Sequence, residues 1–246
     1  MISKAEPSNV FVVALALVLV ACGSTTGGEP DAAIGESDAG VTEDDAAAAD
    51  LDGGPPAPCS HPEIDDDFSA PELDATKWRS IGAMGVSADV MDGRLTLVPD
   101  PAVMGTRVIL VRSEATFDLT GCAVRVEVPR VLPSGVTGEL TWSIQIGADT
   151  IFVRVRRPGI HFAITEGTEL DDAMATYDET AHRWWRVRED AGVLYVETSA
   201  DGSDWTVQVQ RAHALDLGAT RVAFHVATTS NGDFEGPQFD DVRVGE

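Results

Sequence analysis

The chain is short of positive charge. Its 246 residues include 17 Lys and Arg against 41 Asp and Glu, which gives a net charge of −24 at pH 7. An acidic surface repels phosphate backbones and anionic lipid headgroups. We therefore expect no nucleic-acid partner and no electrostatic docking on a membrane surface.

Long apolar runs are missing too. The longest, VFVVALALVLVA at residues 10–21, is well short of the roughly 20 residues that a helix needs to cross a bilayer. Because Lys4 precedes it, the run is typical of a secretory signal peptide, which we predict at residues 1–21. The run is therefore interpreted as a signal peptide and not as a membrane-spanning helix.

Cysteine is scarce, with three residues in the chain. The stretch LVAC at residues 19–22 resembles the lipobox of bacterial lipoproteins, whose cysteine is lipidated and becomes the mature N-terminus. The resemblance implies lipidation of Cys22 and a lipid anchor as the only link to the membrane. Gly23 in place of an acidic residue favours the outer membrane, with the domain either periplasmic or surface-exposed. The alternative is an ordinary secretory signal with a buried cysteine.

Aromatic residues, Lys and Arg are absent from residues 22–58, whereas nine residues there are acidic. Such a composition cannot bury enough apolar surface to offset the entropy of ordering the chain. We predict a lipidated, acidic, disordered tether at residues 22–58, extended by the repulsion of its like charges. The folded domain is then expected at residues 59–246.

If Cys22 carries lipid, two cysteines remain for an oxidising compartment. We predict a disulfide between Cys59 and Cys122, which would close a loop of about 60 residues and stabilise the domain by a few kcal/mol. The alternative is two reduced, buried thiols.

Amphipathic helices are missing from residue 64 onwards, and alternation of apolar and polar residues takes their place. Short segments rich in Val, Ile, Thr and aromatics are separated by Gly, Pro and Asp, as in GRLTLV, TRVILV, CAVRVEV, ELTWSIQI, TIFVRVR, GIHFAIT, RWWRVRE, GVLYVET, DWTVQVQ and TRVAFHV. Each strand must bury one face. The pattern predicts an all-β domain, a two-sheet antiparallel β-sandwich of ten or more strands.

Three stretches resemble bacterial concanavalin A-like lectin/glucanase domains. They are DDFSAPELDATKW at residues 66–78, RWWRVREDAGVLYVETSADGSDWT at residues 183–206, and FDDVRV at residues 239–244. The resemblance implies a jelly roll with one convex and one concave sheet. It also implies a superfamily that includes sugar-binding lectins and family 16 glucanases.

Catalytic motifs are absent as well. The chain has no H-E-x-x-H, no G-x-S-x-G and no Cys/His metal cluster. Glucanases of the resembling family need two carboxylates about 5 to 5.5 Å apart, placed on one strand as E-x-D-x-x-E. The nearest match, EIDDDF at residues 63–68, has Phe68 in place of the second glutamate. We therefore predict no catalytic residues, with a divergent glycoside hydrolase as the less favoured alternative.

Alternation also predicts which side chains face outwards. If the outward rows share one sheet, they form a surface that could bind a polysaccharide or a surface glycan through Trp184, Arg186, Arg188, Arg154, Arg156, His161, Gln145 and His225. We therefore expect a monomeric, non-catalytic, carbohydrate-binding domain. The alternatives are ordinary cross-strand pairs on a solvent face and, for the whole protein, a structural or protein-interaction module of the envelope.

Two further residue sets are tied to structure. Trp205 shares a strand face with Val207 and Val209, which predicts that it seals the core. No cofactor is expected to be required, but Asp66 and Asp240 lie where the chain's ends should meet, and the resemblance implies a structural calcium there. Phe239 breaks the alternation, so a bulge near Asp240 is expected. The alternative to calcium is a solvated acidic edge.

Overall fold

The computed structural model describes residues 59–245, and every regular element in that part of the chain is a β-strand. No helix among those residues has the length and apolar character needed to cross a membrane. The strands are β1 Trp78–Met84, β2 Val86–Met91, β3 Arg94–Pro99, β4 Arg107–Ser113, β5 Ala123–Arg130, β6 Gly138–Ile146, β7 Asp149–Arg156, β8 Gly159–Glu166, β9 Glu169–Thr176, β10 Trp184–Asp190, β11 Val193–Ser199, β12 Thr206–Ala212, β13 Arg221–Thr228 and β14 Gln238–Gly245.

The strands form two antiparallel sheets of seven strands each. Sheet I has the order β1-β4-β13-β6-β7-β8-β9, and sheet II has the order β12-β11-β10-β5-β14-β3-β2. Consecutive hairpins build β6 to β9 in sheet I and both β10 to β12 and β2 to β3 in sheet II, while the remaining neighbours are distant in sequence. The predicted two-sheet antiparallel sandwich is confirmed.

The core lies between the two sheets and follows the predicted alternation. Trp142 of sheet I and Trp185 of sheet II are both fully buried, with ring centroids 6.4 Å apart. Phe224 and Phe239 make a second contact between the sheets at 4.3 Å. Because these side chains point inwards from both sheets, their sequence neighbours face outwards on opposite sides of the sandwich.

Three strands at or near the edges escaped sequence prediction. β1, β2 and β9 read WRSIGAM, VSADVM and ELDDAMAT, and most of their residues are exposed or half-buried. A strand at a sheet edge has few neighbours to pack against, so its sequence need not alternate strongly. On the side of the sandwich where β9 and β12 meet, Arg211 of β12 forms ion pairs with Glu166, Glu169 and Asp171, which ties the two sheets together.

The first and last parts of the domain meet at sheet II. Cys59 and Cys122 form the predicted disulfide. Asp66 pairs with Val242 through both backbone hydrogen bonds, at 2.9 and 2.8 Å. The register of β14 shifts on either side of Asp240, and Asp241 has a φ of +43°, which confirms the predicted bulge.

Candidate functional site

The outward residues predicted to share one sheet lie on two sheets. Trp184, Arg186 and Arg188 belong to β10 in sheet II, whereas the other predicted binding residues belong to sheet I, namely Arg154, Arg156, His161, Gln145 and His225. The expectation of one joint surface was therefore wrong, because alternation fixes the face of a strand but not the sheet that the strand joins. Each outer face has to be judged by itself.

On the outer face of sheet II, the arginines of β10 already have protein partners. The buried carboxylate of Glu197 accepts a hydrogen bond from Arg186 Nε at 2.7 Å and lies 3.6 Å from Arg188 Nη2. The guanidinium groups also stack on aromatic rings, Arg186 on Trp205 at 4.2 Å and Arg188 on Tyr195 at 4.0 Å. The charge of each arginine is therefore balanced by a carboxylate, and one flat face of each guanidinium group is covered by an aromatic ring. A ligand would need these same groups.

The two outer tryptophans of sheet II are part of the same packing. The Trp184 indole lies under the Arg125 guanidinium, 5.6 Å from it, and against Gly202, where an added Cβ would come within 3.1 Å of the ring. Trp205 lies outside the core, which corrects the prediction that it seals the core. The register between β11 and β12 shifts at Glu197, and this bulge turns Trp205 to the side of Arg186.

The outer face of sheet I is different, because small side chains form its centre. Thr141 and Ser143 of β6, Ala163 of β8 and Ala223 of β13 point outwards by alternation, yet their exposed fractions are 7%, 7%, 0% and 0%. Ala223, Ser143 and Ala163 lie in one row across the strands, joined by the register through Phe152. We call these four residues the floor. Larger side chains around them shield the floor from solvent.

Polar and aromatic side chains stand beside the floor. Arg154 lies over the Phe152 ring at 4.6 Å, and His161 meets the same ring edge-on at 5.3 Å. Arg154 Nε lies 3.4 Å from Thr141 Oγ1, and His161 Nε2 lies 2.9 Å from a carboxylate oxygen of Asp172 in β9. Phe152 thus presents an aromatic ring between two hydrogen-bonding side chains.

The remaining predicted residues of sheet I surround this centre. His225 lies opposite Thr141, and burial lowers the pKa of its imidazole, so it is neutral at pH 7 and can donate or accept a hydrogen bond. Gln145 lies opposite Thr150 on the next row, and Arg156 is exposed near the end of β7. All five predicted residues of sheet I therefore share one face, with His225, Arg154 and His161 in its central row.

The carboxylates described on this face lie on strands that are not adjacent. Among the outward residues of the four strands β13, β6, β7 and β8, Glu139 is the one carboxylate before the strand ends at Glu166. Its oxygen lies 3.9 Å from Arg154 Nε. A retaining glycosidase needs two carboxylates about 5 to 5.5 Å apart. Asp172 of β9 is on the same face, but β9 is three strand spacings from β6, roughly 14 Å.

Asp66 and Asp240 do not fit the calcium ion that the resemblance implied. The Asp66 oxygens accept hydrogen bonds from Phe68 N and Trp78 Nε1, both at 2.8 Å. One Asp240 oxygen accepts from Asp241 N, and the other faces Arg94 Nε at 3.5 Å. Burial raises the pKa of Asp240, which disfavours its charged form. Within residues 59–245, no three His, Cys, Asp or Glu side chains are grouped to hold a metal.

Two shallow cavities lie away from this face. One of about 300 Å³ is lined by Arg157 and Tyr177, and one of about 480 Å³ is lined by Arg130 and Arg183, among others. Their arginines form ion pairs with glutamates of the same region, Glu179, Glu235 and Glu127. The arginines of both cavities are therefore already paired with carboxylates.

Sequence reasoning missed the floor and Asp172. The signal for the floor was present, since Ala163 and Ala223 occupy outward positions that usually carry larger polar side chains. Asp172 could not be found because β9 has no alternating pattern. Its position beside His161 depends on the pairing of β8 with β9.

No family model matches the chain, and no curated protein sequence does. Solved structures do match in fold. SCLam, a non-specific endo-β-1,3(4)-glucanase from family GH16, has a TM-score of 0.55 and 11% identity over 74% of this chain and 89% of that chain. The legume lectin-like domain from Entamoeba histolytica has a TM-score of 0.53 and 10% identity over 75% and 97% of the two chains.

A third similar structure is the carbohydrate recognition domain of Emp46p in a potassium-bound form, with a TM-score of 0.53 and 10% identity over 76% of this chain and 98% of that chain. These neighbours are concanavalin A-like sandwiches. At this level of identity they show that the chain shares the fold, which includes both lectins and glucanases.

Proposed function

We propose that this protein is a cell-envelope lipoprotein whose sandwich domain binds carbohydrate without catalysis, on the outer face of sheet I. The observation that carries the proposal is the arrangement of Phe152 beside the floor, flanked by Arg154 and His161. Its ligand class is a polysaccharide or a surface glycan.

Physical chemistry favours this arrangement for sugars. A sugar ring can stack its C–H face on an aromatic ring, and its hydroxyls need donors and acceptors close to that ring. Arg154 supplies donors, while neutral His225 and the hydroxyls of Thr141 and Ser143 supply both donors and acceptors. On sheet II, Arg186 lies 2.7 Å from the buried Glu197 carboxylate, a closer pairing than that of Arg154 with Glu139 at 3.9 Å.

The separation of Glu139 and Asp172, three strand spacings or roughly 14 Å, favours binding over hydrolysis. Lectins and glucanases share this fold, so the fold does not separate the two activities. A divergent hydrolase acting at this face would need Glu139 to work with a partner from another strand. Release of reducing sugar ends from a polysaccharide by the wild-type protein, and its loss in the Glu139→Gln variant, would identify such an enzyme.

The decisive experiment is a glycan-array screen of the full chain with a matched pair of variants. Phe152→Ala removes the ring on sheet I, and Trp184→Ala removes a ring on sheet II. We expect Phe152→Ala to lose binding and Trp184→Ala to keep it, with circular dichroism showing that both are folded. Binding lost with Trp184→Ala alone would place the site on sheet II. A blank array for the wild-type protein would refute carbohydrate binding.

The anchoring part of the proposal depends on Cys22, which lies outside the described residues. Its location in LVAC supports lipidation and an outer-membrane address. Metabolic labelling with an alkyne fatty acid should label the wild-type protein but not Cys22→Ser, and the variant should leave the membrane fraction. Equal membrane association of both proteins would contradict a lipid anchor.

The alternative of an envelope interaction module has one observation in its favour. Leu170 and Met174 of β9 have exposed fractions of 53% and 75%, unusually high for apolar side chains on one edge strand. A protein partner that covered this edge would shield both residues. Crosslinking that depends on Leu170 and Met174, together with a blank glycan array, would establish this function instead.

A further inference from the structure

Three arginines meet on the outer face of sheet I, beside the residues proposed to contact the sugar. Arg79 of β1 and Arg112 of β4 are directly opposite each other in the register. Arg112 in turn lies opposite Ala223 of β13, and Arg221 is two residues before Ala223 on the same face. The three strands are adjacent in sheet I. We call Arg79, Arg112 and Arg221 the arginine cluster.

The arginine cluster has little negative charge to balance it. Arg112 forms no ion pair and no side-chain hydrogen bond with any described residue, whereas most other arginines of residues 59–245 are paired with carboxylates. Arg221 Nη2 donates to a backbone carbonyl, that of Glu114, at 3.4 Å, and its buried Nε has no partner within the described chain. Among the three arginines, the Glu114 carboxylate forms an ion pair with Arg79, at 3.9 Å, and with neither Arg112 nor Arg221.

Like charges placed opposite each other on adjacent strands destabilise a sheet. Burial lowers the pKa of Arg112, and the charges of Arg221 and Arg79 lower it further while the Glu114 carboxylate opposes the shift; the group stays protonated at neutral pH. Repulsion between arginines is unexpected in a chain of net charge −24, where carboxylates are abundant. A bound anion would remove the repulsion and satisfy the free guanidinium donors.

We propose that the arginine cluster binds the oxyanion group of an anionic polysaccharide. This inference rests on the proposed function for the sugar itself and adds the charge class of the ligand. Arg112, Ala223, Ser143 and Phe152 form one row across β4, β13, β6 and β7. Three strand spacings of about 4.8 Å separate the first strand from the last, roughly 14 Å. A chain of several sugar units would lie on Phe152 and carry its charged group to Arg112.

The test uses polymers that share a backbone and differ in charge. The full chain is titrated with dextran and with dextran sulfate of the same length, in the wild type, in Arg112→Gln and in Arg243→Gln. Arg243 lies on sheet II, where it is paired with Asp241 at 2.8 Å, so its substitution makes the same charge change on the opposite face. Parallel titrations with polygalacturonate and with polyphosphate show whether a polymer with carboxylate or phosphate groups binds in the same way as one with sulfate groups.

We expect the wild type to bind at least one anionic polymer about tenfold more tightly than dextran, and Arg112→Gln to lose that preference. Arg243→Gln should keep it. A second measurement is the melting temperature in sodium sulfate relative to that in sodium chloride at equal ionic strength, since sulfate stabilises most proteins in a general way. The melting temperature of the wild type should rise more in sulfate than that of Arg112→Gln. Equal losses in both variants would mean general charge attraction and would overturn the inference.

The inference and the proposed function fail differently. If Arg112→Gln keeps the full anionic preference while Phe152→Ala abolishes glycan binding, the oxyanion site is wrong and the sugar-binding face stands. If Phe152→Ala changes nothing while Arg112→Gln abolishes binding of anionic polymers, the arginine cluster is an anion site without the proposed sugar contacts. Absence of any anionic preference in the wild type overturns the inference directly.

Discussion

Glu197→Gln should destabilise the domain by about 2 to 3 kcal/mol. The Glu197 side chain is 4% exposed and lies between Arg186 and Arg188, whose side chains are 16% and 27% exposed. Glutamine keeps the shape but removes the charge, which leaves Arg186 without a counter-charge and Arg188 with the exposed carboxylate of Asp190 alone. Breaking a buried ion pair costs about 3 to 5 kcal/mol, and a hydrogen bond to a charged group contributes about 1.5 to 3 kcal/mol. Partial exposure of the arginines puts the expected loss at the lower end.

The assay is urea unfolding followed by tryptophan fluorescence. The midpoint should fall while the m-value stays constant, because the folded and unfolded surfaces are unchanged. The matched control is Asp190→Asn, since Asp190 also pairs with Arg188, at 3.1 Å, but is 65% exposed. An exposed pair contributes at most about 1 kcal/mol. Equal effects of the two substitutions would refute the account of Glu197 as a buried counter-charge.

A double substitution tests the same reasoning from the other side. Replacing Glu197 by Leu and Arg186 by Met removes both charges of the pair while keeping the volume. Replacement of a buried ion pair by apolar residues is often neutral or stabilising. The double variant should therefore be more stable than Glu197→Leu alone. A double variant that is less stable than the single one would mean that Arg186 contributes mainly through its stacking on Trp205.

Three further predictions concern stability. Burial lowers the pKa of His182 below the unfolded value of about 6.5, so the unfolded state takes up the proton first as the pH falls. The free energy of unfolding should therefore decrease below about pH 6.5, and His182→Gln should reduce this dependence on pH in urea titrations. Replacing Cys59 and Cys122 by serine should cost about 4 kcal/mol in urea unfolding, from a sequence separation of 63 residues. Gly236→Ala should lower the thermal midpoint strongly, because its Cβ would overlap the backbone carbonyl oxygen of Leu97.

Each of these predictions has a control or an opposite outcome. A slope between pH 6.5 and 5 that is the same in His182→Gln and the wild type would exclude His182 as its source. The reduced wild type should match the serine variant, and a smaller loss in the variant would indicate a compact unfolded state. Gly159→Ala is the control for glycine, since its Cβ would lie at an ordinary 3.7 Å from the nearest atoms. Similar losses at both glycines would contradict the steric explanation.

Alternation along each strand predicted burial well. Trp185 and Val187 are fully buried and Trp184 and Arg186 are not, as the sequence RWWRVRE indicated. The same reading located the bulge of β14, because Phe239 and Val242 are both buried although three positions apart. These features depend on a repeat of two residues within one strand, which the sequence displays directly.

The assembly of the strands could not be obtained in the same way. β7 and β10 have similar outward arginines, but the chain crosses from sheet I to sheet II between β9 and β10. The residues of these two strands do not indicate which sheet each strand joins. The arginine cluster was missed for the same reason, because Arg79, Arg112 and Arg221 are brought together by pairing of strands far apart in sequence. Function at such faces depends on long-range pairing, whereas burial depends on local pattern.

The Cys59–Cys122 bond also determines how the domain responds to mechanical force. A pull arriving along the chain from residues before Cys59 passes through the disulfide to Cys122, next to the first residue of β5. The intervening loop contains β1 to β4 and is bypassed by the covalent link. β5 lies inside sheet II between β10 and β14, so the load is shared by two strand pairings. The arginine-bearing strands β1 and β4 therefore carry no tension while the bond is intact.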